Sequence, residues 1–457
     1  MQALKRNSFR KMKETDTTVI PKLPLNRSQK VVRAIKWTLI GSLVFVLCWR
    51  QYRVWRIPDV EPFDREAFLA RYDRGGNDFH IFREASHLYH AAFTNEFDEA
   101  EQDFLGEWEE AKPVTREFLE AMRPALEHWL SGSDAEVSFE LHPEDCDEST
   151  LIPIAAEMRL FVWLVRIENA RLISAGDFDQ ALENYLKTVR VLSLHAGDGV
   201  TYYLISTHCY DLLRLQLESI LAGKELQAGE LKTFHDELAL SGNRLSQLSG
   251  ALQYNYFFSD QYVASNLVSE TIPNFVTNEP ELARRTVKQA YHNLLADCET
   301  PAGERPAVVR KEFRSAWRDL NTFLRRHGYW SFNNRKASLT IEYFQPATED
   351  DVVQAGFGSL LYASEIVEQS LPPVNQLVRN RDSLRRQLQL DLIQIALHGY
   401  YREHGQFPDS LETLVPEWLD EVPLDANGRA YLFESDSNSC RLKLQNGSSE
   451  LEVIAPD

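Results

Sequence analysis

One unbroken apolar run stands near the start of this chain, and beyond it the apolar residues fall into two rhythms. Residues 37–49 (WTLIGSLVFVLCW) pass without a charge. Alone, that run falls short of the ~20 apolar residues that cross a bilayer. Val31, Val32, Ala34 and Ile35 extend it backwards and Tyr52, Val54 and Trp55 forwards. Arg33, Lys36, Arg50 and Arg53 can stretch their charged heads to the two interfaces, and Trp37, Trp49 and Trp55 suit the interfacial belts. The pattern predicts a transmembrane helix over 31–56, preceded by a disordered basic tail over 1–30 that carries Pro21 and Pro24 and no sustained period. A cleaved signal peptide fits less well, because a basic region of 36 residues precedes the run and no small-x-small site follows it.

Past residue 57 apolar positions recur three or four apart over 79–93, 114–130, 154–175, 178–195, 202–221 and 230–255, the spacing of amphipathic helices. The acidic stretch 134–147 interrupts them and reads as a loop, although Val137, Phe139 and Leu141 alternate within it. Tyr254, Tyr256, Phe257, Phe258 and Tyr262 form an aromatic cluster that reads as core. Further helices are expected over 308–326 and 351–369, the last stopped by Pro372 and Pro373.

The C-terminal part shows both rhythms in turn. A helix over 381–403 ends at Gly405, and Asp409 and Glu412 stand at capping-box spacing for a short helix. The period then drops to two over 429–434, 441–445 and 450–454, with tight-turn signals at Asn427-Gly428 and Asn446-Gly447. The helix should cover this sheet, Leu388, Leu392, Ala396 and Tyr400 meeting Tyr431, Phe433, Leu442, Leu444, Leu451 and Val453. The expected fold is mainly α. An N-terminal transmembrane helix leads to an irregular array of helical hairpins over 57–380, then to a small α+β element with an antiparallel sheet over 381–457.

Charge adds an orientation. Residues 1–36 hold ten Lys and Arg against two acids, and Arg50, Arg53 and Arg56 add +3. Of the total of −19, residues 57–457 therefore carry −30. Such an acidic body repels phosphate backbones, so no nucleic-acid partner is expected. The basic excess ahead of the run predicts a cytoplasmic N-terminus and an exocytoplasmic, periplasmic body. Five scattered cysteines suggest neither a metal motif nor a dense disulfide framework and read as unpaired thiols.

The best local signature is ISAGDFDQALENYLKTVRVL, residues 173–192, in which Gly176 and Asp177 turn and cap a helix carrying Ala181, Leu182, Tyr185 and Val189 on one side. It resembles the second half of a tetratricopeptide hairpin. A weaker echo, NEFDEAEQDFL at 95–105, stands 81 residues away, which is not a multiple of that repeat. Irregular helical hairpins are therefore expected rather than a solenoid.

His80, Glu84, His87 and His90 fall on one side of a helix, and Glu84-x-x-His87 has carboxylate-bridged metal spacing. That chemistry needs a second such pair, which the chain lacks, so these read as partly buried structural histidines and no cofactor is expected. There is no Gly-x-Ser-x-Gly elbow, His-Glu-x-x-His helix, phosphate loop or dinucleotide fingerprint.

Residues 395–433 (IALHGYYREHGQFPDSLETLVPEWLDEVPLDANGRAYLF) carry Tyr400, Gly405, Phe407, Pro408, Leu411, Leu414, Val415, Leu419, Pro423, Asp425 and Gly428 in an order that resembles the C-terminal half of type II secretion major pseudopilins. That tail, joined to the helical body with its GDFDQAL segment, resembles a group of uncharacterised bacterial membrane-anchored proteins over most of residues 60–457. The pseudopilin resemblance implies a borrowed small domain, since a pilin's N-terminal cleavage site is missing and the apolar run lies far from this tail. Those pseudopilins bind calcium near their sheet; Asp425 and Asp436 offer oxygens here, but the family's loop is not reproduced and they read as solvated loop acids. Two function classes follow. One is an envelope scaffold with a protein partner; the other is a membrane-tethered hydrolase whose site sits in a helical groove and uses the His80–His90 face.

Overall fold

A computed structural model of the chain describes residues 27–55, 57, 59–73, 75–97, 108–146, 153–267, 278–301, 367, 370–424, 428–436, 439–444 and 449–455. The helices expected over 308–326 and most of 351–369 lie outside the described residues, as do Asp425, Asn427 and the Asn446-Gly447 turn. The chain divides into two units, Met1–Tyr52 and Arg53–Asp457.

The first unit holds nearly all of α1 (Arg27–Trp55), whose stretch Arg27–Tyr52 is long and apolar enough to cross a membrane and has none of its most apolar window buried inside the protein. Leu39, Val44 and Phe45 are more than half exposed. A helix apolar on all sides with no protein around it matches lipid as a solvent.

The second unit is mainly helical. Among the described residues its helices are α2 (Arg65–Leu69), α3 (Phe79–Ala92), α4 (Pro113–Ser131), α5 (Pro153–Ala175), α6 (Phe178–His195), α7 (Val200–Leu213), α8 (Leu217–Leu221), α9 (Ala228–Leu245), α10 (Leu248–Leu267), α11 (Glu279–Asp297) and α12 (Val374–His404). Sequential neighbours pack as hairpins, α3 on α4, α5 on α6, and α10 on α11, while α6 also meets α9 and α9 meets α12.

The α5–α6 hairpin shows how local sequence sets this packing. Gly176 takes φ +77°, which a side chain resists, and its N–H reaches Ile173 O at 3.0 Å while the Asp177 N–H reaches Leu172 O at 2.8 Å. Those two bonds close α5. Asp177 then turns its carboxylate to the Gln180 N–H at 3.4 Å and opens α6. Ala181 and Tyr185, predicted to face inwards, are fully buried, and Asn184 donates to Asn169 across the hairpin at 3.3 Å. Of the weaker echo, 98–105 lie outside the described residues and residues 95–97 form one 3-10 turn.

Two expected helices are broken. The 202–221 segment splits into α7, a 3-10 turn over Arg214–Gln216, and α8. At the break Arg214 donates to buried Asp391 of α12 at 2.9 Å and Gln216 to Arg166 O at 2.7 Å, so long-range polar contacts set the kink. The 230–255 segment stops at Ser246-Gln247, where the run Ser241-Gly242-Asn243 and the Ser246 hydroxyl bonded to Asn243 O at 3.0 Å weaken the helix. The aromatic cluster lies on α10 and is largely core: Tyr256 is fully buried and meets Tyr291 of α11 edge-on at 5.4 Å.

The long C-terminal helix begins at Val374 and ends at Gly405, whose φ is +73°. Its Arg381 is fully buried and donates to the carbonyls of Cys298 and Thr300, capping the C-terminal end of α11. The following 3-10 turn, Leu411–Leu414, has Ser410 rather than Asp409 at its N-cap. β1 (Leu432–Ser435), β2 (Ser439–Lys443) and β3 (Ser449–Ile454) form an antiparallel meander in the order β1-β2-β3. Cross-strand partners Cys440 and Val453 are buried with Leu442, while Glu434–Lys443 and Arg441–Glu452 pair across the other face. The helix meets the sheet through β3, but its Leu388, expected there, packs instead on Gly242 of α9.

Candidate functional site

The four residues singled out on α3 are all exposed. The buried stripe of that helix is Phe79, Phe82, Ala85, Ser86 and Tyr89, which leaves His80, Glu84, His87 and His90 on its solvent side rather than partly buried. Glu84 pairs outward with His128 of α4 at 3.4 Å and His90 with Glu157 of α5 at 2.9 Å. Among the described residues no three His, Cys, Asp or Glu side chains gather as a metal site. Asp436 closes the β1–β2 turn by accepting from the Ser439 N–H at 2.7 Å and its hydroxyl at 3.1 Å. No disulfide joins the five cysteines.

Two concave regions carry convergent polar groups. In the smaller, of about 470 Å³, Asp198 is buried 3.1 Å from His195 Nδ1. Burial pushes the Asp198 carboxyl up, against the opposing bonds from His195 and Tyr72. Beside it Arg190 pairs with Glu237 and Arg71 with Gln253. Tyr254, which accepts from Cys146 at 3.2 Å, donates to Leu141 O at 2.7 Å. Ser133 and Ser138 add two unpartnered hydroxyls. The charged groups here mostly bond one another, the arrangement of a polar core.

The larger region is a groove of about 840 Å³ bounded by α9, α12 and the loop from Pro416 to Leu424. Trp418 projects from that loop because Gly399 on α12 leaves room for its ring; a Cβ at Gly399 would strike the indole. The ring is 2% exposed, and its Nε1–H has no hydrogen-bond partner. Across from it stands His235 of α9, ring centroids 6.3 Å apart and nearly perpendicular. His235 Nδ1 lies 3.1 Å from Asp236 Oδ1, and Lys232 donates to the same oxygen at 2.6 Å. Burial raises the Asp236 carboxyl, but the bonds from Lys232 and His235 outweigh it and hold the group below the usual carboxylate range. A carboxylate only accepts, so Nδ1 carries the proton. Burial pushes the His235 imidazole down, against the pull of Asp236, so at neutral pH its Nε2 is a bare acceptor, and it too is unpartnered.

In the wall of this larger groove a donor and an acceptor thus lie buried without hydrogen-bond partners. Buried polar atoms without partners cost ~1–3 kcal/mol each. The sequence reading missed both residues. His235 stands in an ordinary amphipathic pattern, and the one local signal was Trp418, a large aromatic set among acids in VPEWLDEVP. No family model, curated protein or solved structure matches the chain, so its function has to be read from these residues.

Proposed function

We propose that this protein is a single-pass envelope protein whose exocytoplasmic body is a protein-interaction module, with the α9–α12 groove as its docking site. The observation that carries this reading is the groove of about 840 Å³ between α9, α12 and the Pro416–Leu424 loop, with Leu388 and Leu392 along its wall and exposed Asp420 and Glu421 at its rim. The anchor restricts the body to the membrane face, where helical hairpins offer an extended surface. The small sheet after α12 follows the order of the resembled pseudopilin domain and fits a module borrowed without filament assembly.

The test is co-purification from detergent-solubilised membranes with the full chain as bait and an unrelated single-pass protein as control. A specific protein enriched on the bait is the expected result. No enrichment over the control rejects the interaction reading.

A second reading has one specific support. His235, held by Asp236 at 3.1 Å and with its imidazole pushed down by burial, has the orientation of a general base, one of the parts a hydrolase needs. Turnover of p-nitrophenyl esters that disappears in His235→Phe would favour it.

A further inference from the structure

α1 outruns its own membrane span. The stretch long and apolar enough to cross a bilayer ends at Tyr52, while the helix runs on to Trp55. At a rise of ~1.5 Å per residue Val54 lies ~3 Å beyond Tyr52, and ~8 Å beyond Trp49, where the uncharged run ends. Tilt only shortens these distances along the bilayer normal. The headgroup layer on each side of the hydrocarbon is ~5–8 Å thick. Val54 is therefore at headgroup depth, whatever the orientation of the body.

At that depth Val54 is 5% exposed and Ile57 1%, whereas Trp55 is 77% exposed. One side of the last turn is covered by protein and another is open. Arg285 of α11, 231 residues further along the chain, donates through Nη1 to Val54 O at 3.3 Å and to Ile57 O at 3.0 Å. A guanidinium on the closing carbonyls of a helix caps it and answers its dipole. Three residues on, Lys288, its side chain 6% exposed, donates to Asp59 at 3.0 Å and to Glu61 at 2.6 Å. Lys288 holds the Asp59 carboxyl below its usual range, against burial and with smaller pulls from Arg285 and Arg284.

Four bonds thus fix Val54, Ile57, Asp59 and Glu61 on α11, so the second turn of α11 shares the depth of Val54. Arg284 in that turn is exposed, its one ion pair among the described residues being with Glu281 at 3.6 Å. The sequence adds Arg50, Arg53 and Arg56 at the same end, +3 in front of a body carrying −30. A phosphate-rich layer suits that end of the acidic body.

We propose that the second turn of α11 is a lipid-contacting surface: Arg285 and Lys288 hold it in the phospholipid headgroup layer, where exposed Arg284 meets the headgroups. This rests on the single-pass anchor of the proposed function and gives the body a membrane-contacting face.

The test places a bimane fluorophore on Arg284→Cys in a Cys48→Ser background, the other cysteines being buried, with the full chain in phosphatidylcholine nanodiscs. Lipid carrying a nitroxide on its choline should dim the label about twofold, and lipid carrying it deep in the acyl chain should dim it much less. Arg285→Met with Lys288→Met, which deletes the four bonds, should restore most of the emission. Position 284 is exposed, so the first measurement stands even where the double variant does not fold. A label as bright with the headgroup nitroxide as without it overturns the proposal, as does dimming that the folded double variant leaves unchanged. Alkaline carbonate separates this from the anchor. A chain that carbonate strips from native membranes has no spanning helix, and both readings fail; a chain that stays while its label is undimmed rejects only the α11 surface.

Discussion

His398 should make this protein lose stability in mild acid. It sits on α12 at 2% exposure, and neither ring nitrogen has a hydrogen-bond partner. Burial, with a smaller push from Arg402 one turn on, lowers its pKa from 6.5 to about 4. The folded state therefore refuses a proton that the unfolded chain accepts. Above pH 6.5 both states are neutral and stability is complete. Below it the unfolded state alone gains the proton, and stability falls by ~1.4 kcal/mol per pH unit until the folded pKa is reached. The loss from this one group is ~2 kcal/mol at pH 5 and ~3 kcal/mol at pH 4. The assay is urea unfolding of the full chain in detergent micelles at pH 7 and pH 5, followed by tryptophan fluorescence, for wild type and His398→Leu. Leucine matches the volume and removes both orphan nitrogens, so the variant should equal or exceed wild type at pH 7 and gain a further ~2 kcal/mol over it at pH 5. Other titrating groups cancel in that difference. Parallel pH dependence for the two proteins would refute the reasoning.

Asp391→Ala should destabilise by ~3 kcal/mol in the same urea assay, since it strands Arg214 and the Tyr210 hydroxyl that now meets the carboxylate at 2.6 Å; a loss under ~1 kcal/mol would mean water already replaces the pair. Gly399→Val should cost ~1–3 kcal/mol and expel the Trp418 indole, read as a red shift and easier acrylamide quenching of its emission; an unshifted spectrum would show that the ring is seated some other way. His87→Ala, on an exposed helix face, should change stability by less than ~0.5 kcal/mol and leave metal content unaltered; stoichiometric metal in wild type that the variant lacks would restore the α3 face as a metal site. Protease added to intact spheroplasts should digest the body beyond residue 57 and spare the basic tail, while a protected body would reverse the topology.

Much of the architecture was legible because it depends on short-range physics. The apolar run, the period of the helices, the turn at Gly176 and Asp177, the stop at Gly405 and the switch to a period of two near residue 430 each follow from backbone sterics and from which side chains water rejects. α6 was predicted to the residue because its cap and its buried face lie in one stretch of sequence.

The misreadings share a different cause. The break at Arg214–Gln216 needs Asp391 and Arg166, which are far away in sequence, and the break at Ser246 sits in a pattern whose apolar spacing runs straight through it. The histidines of α3 are close in sequence, yet the neighbouring helices bring only single ion-pair partners to this face, and among the described residues no group of three possible metal ligands forms there. His235 and Trp418 stand 183 residues apart and meet only because α12 packs along α9 and Gly399 makes space for an indole. Sequence periodicity reports which face of an element is apolar, not which other element that face will meet. A site made of one polar atom from each of two elements is therefore decided by tertiary packing alone.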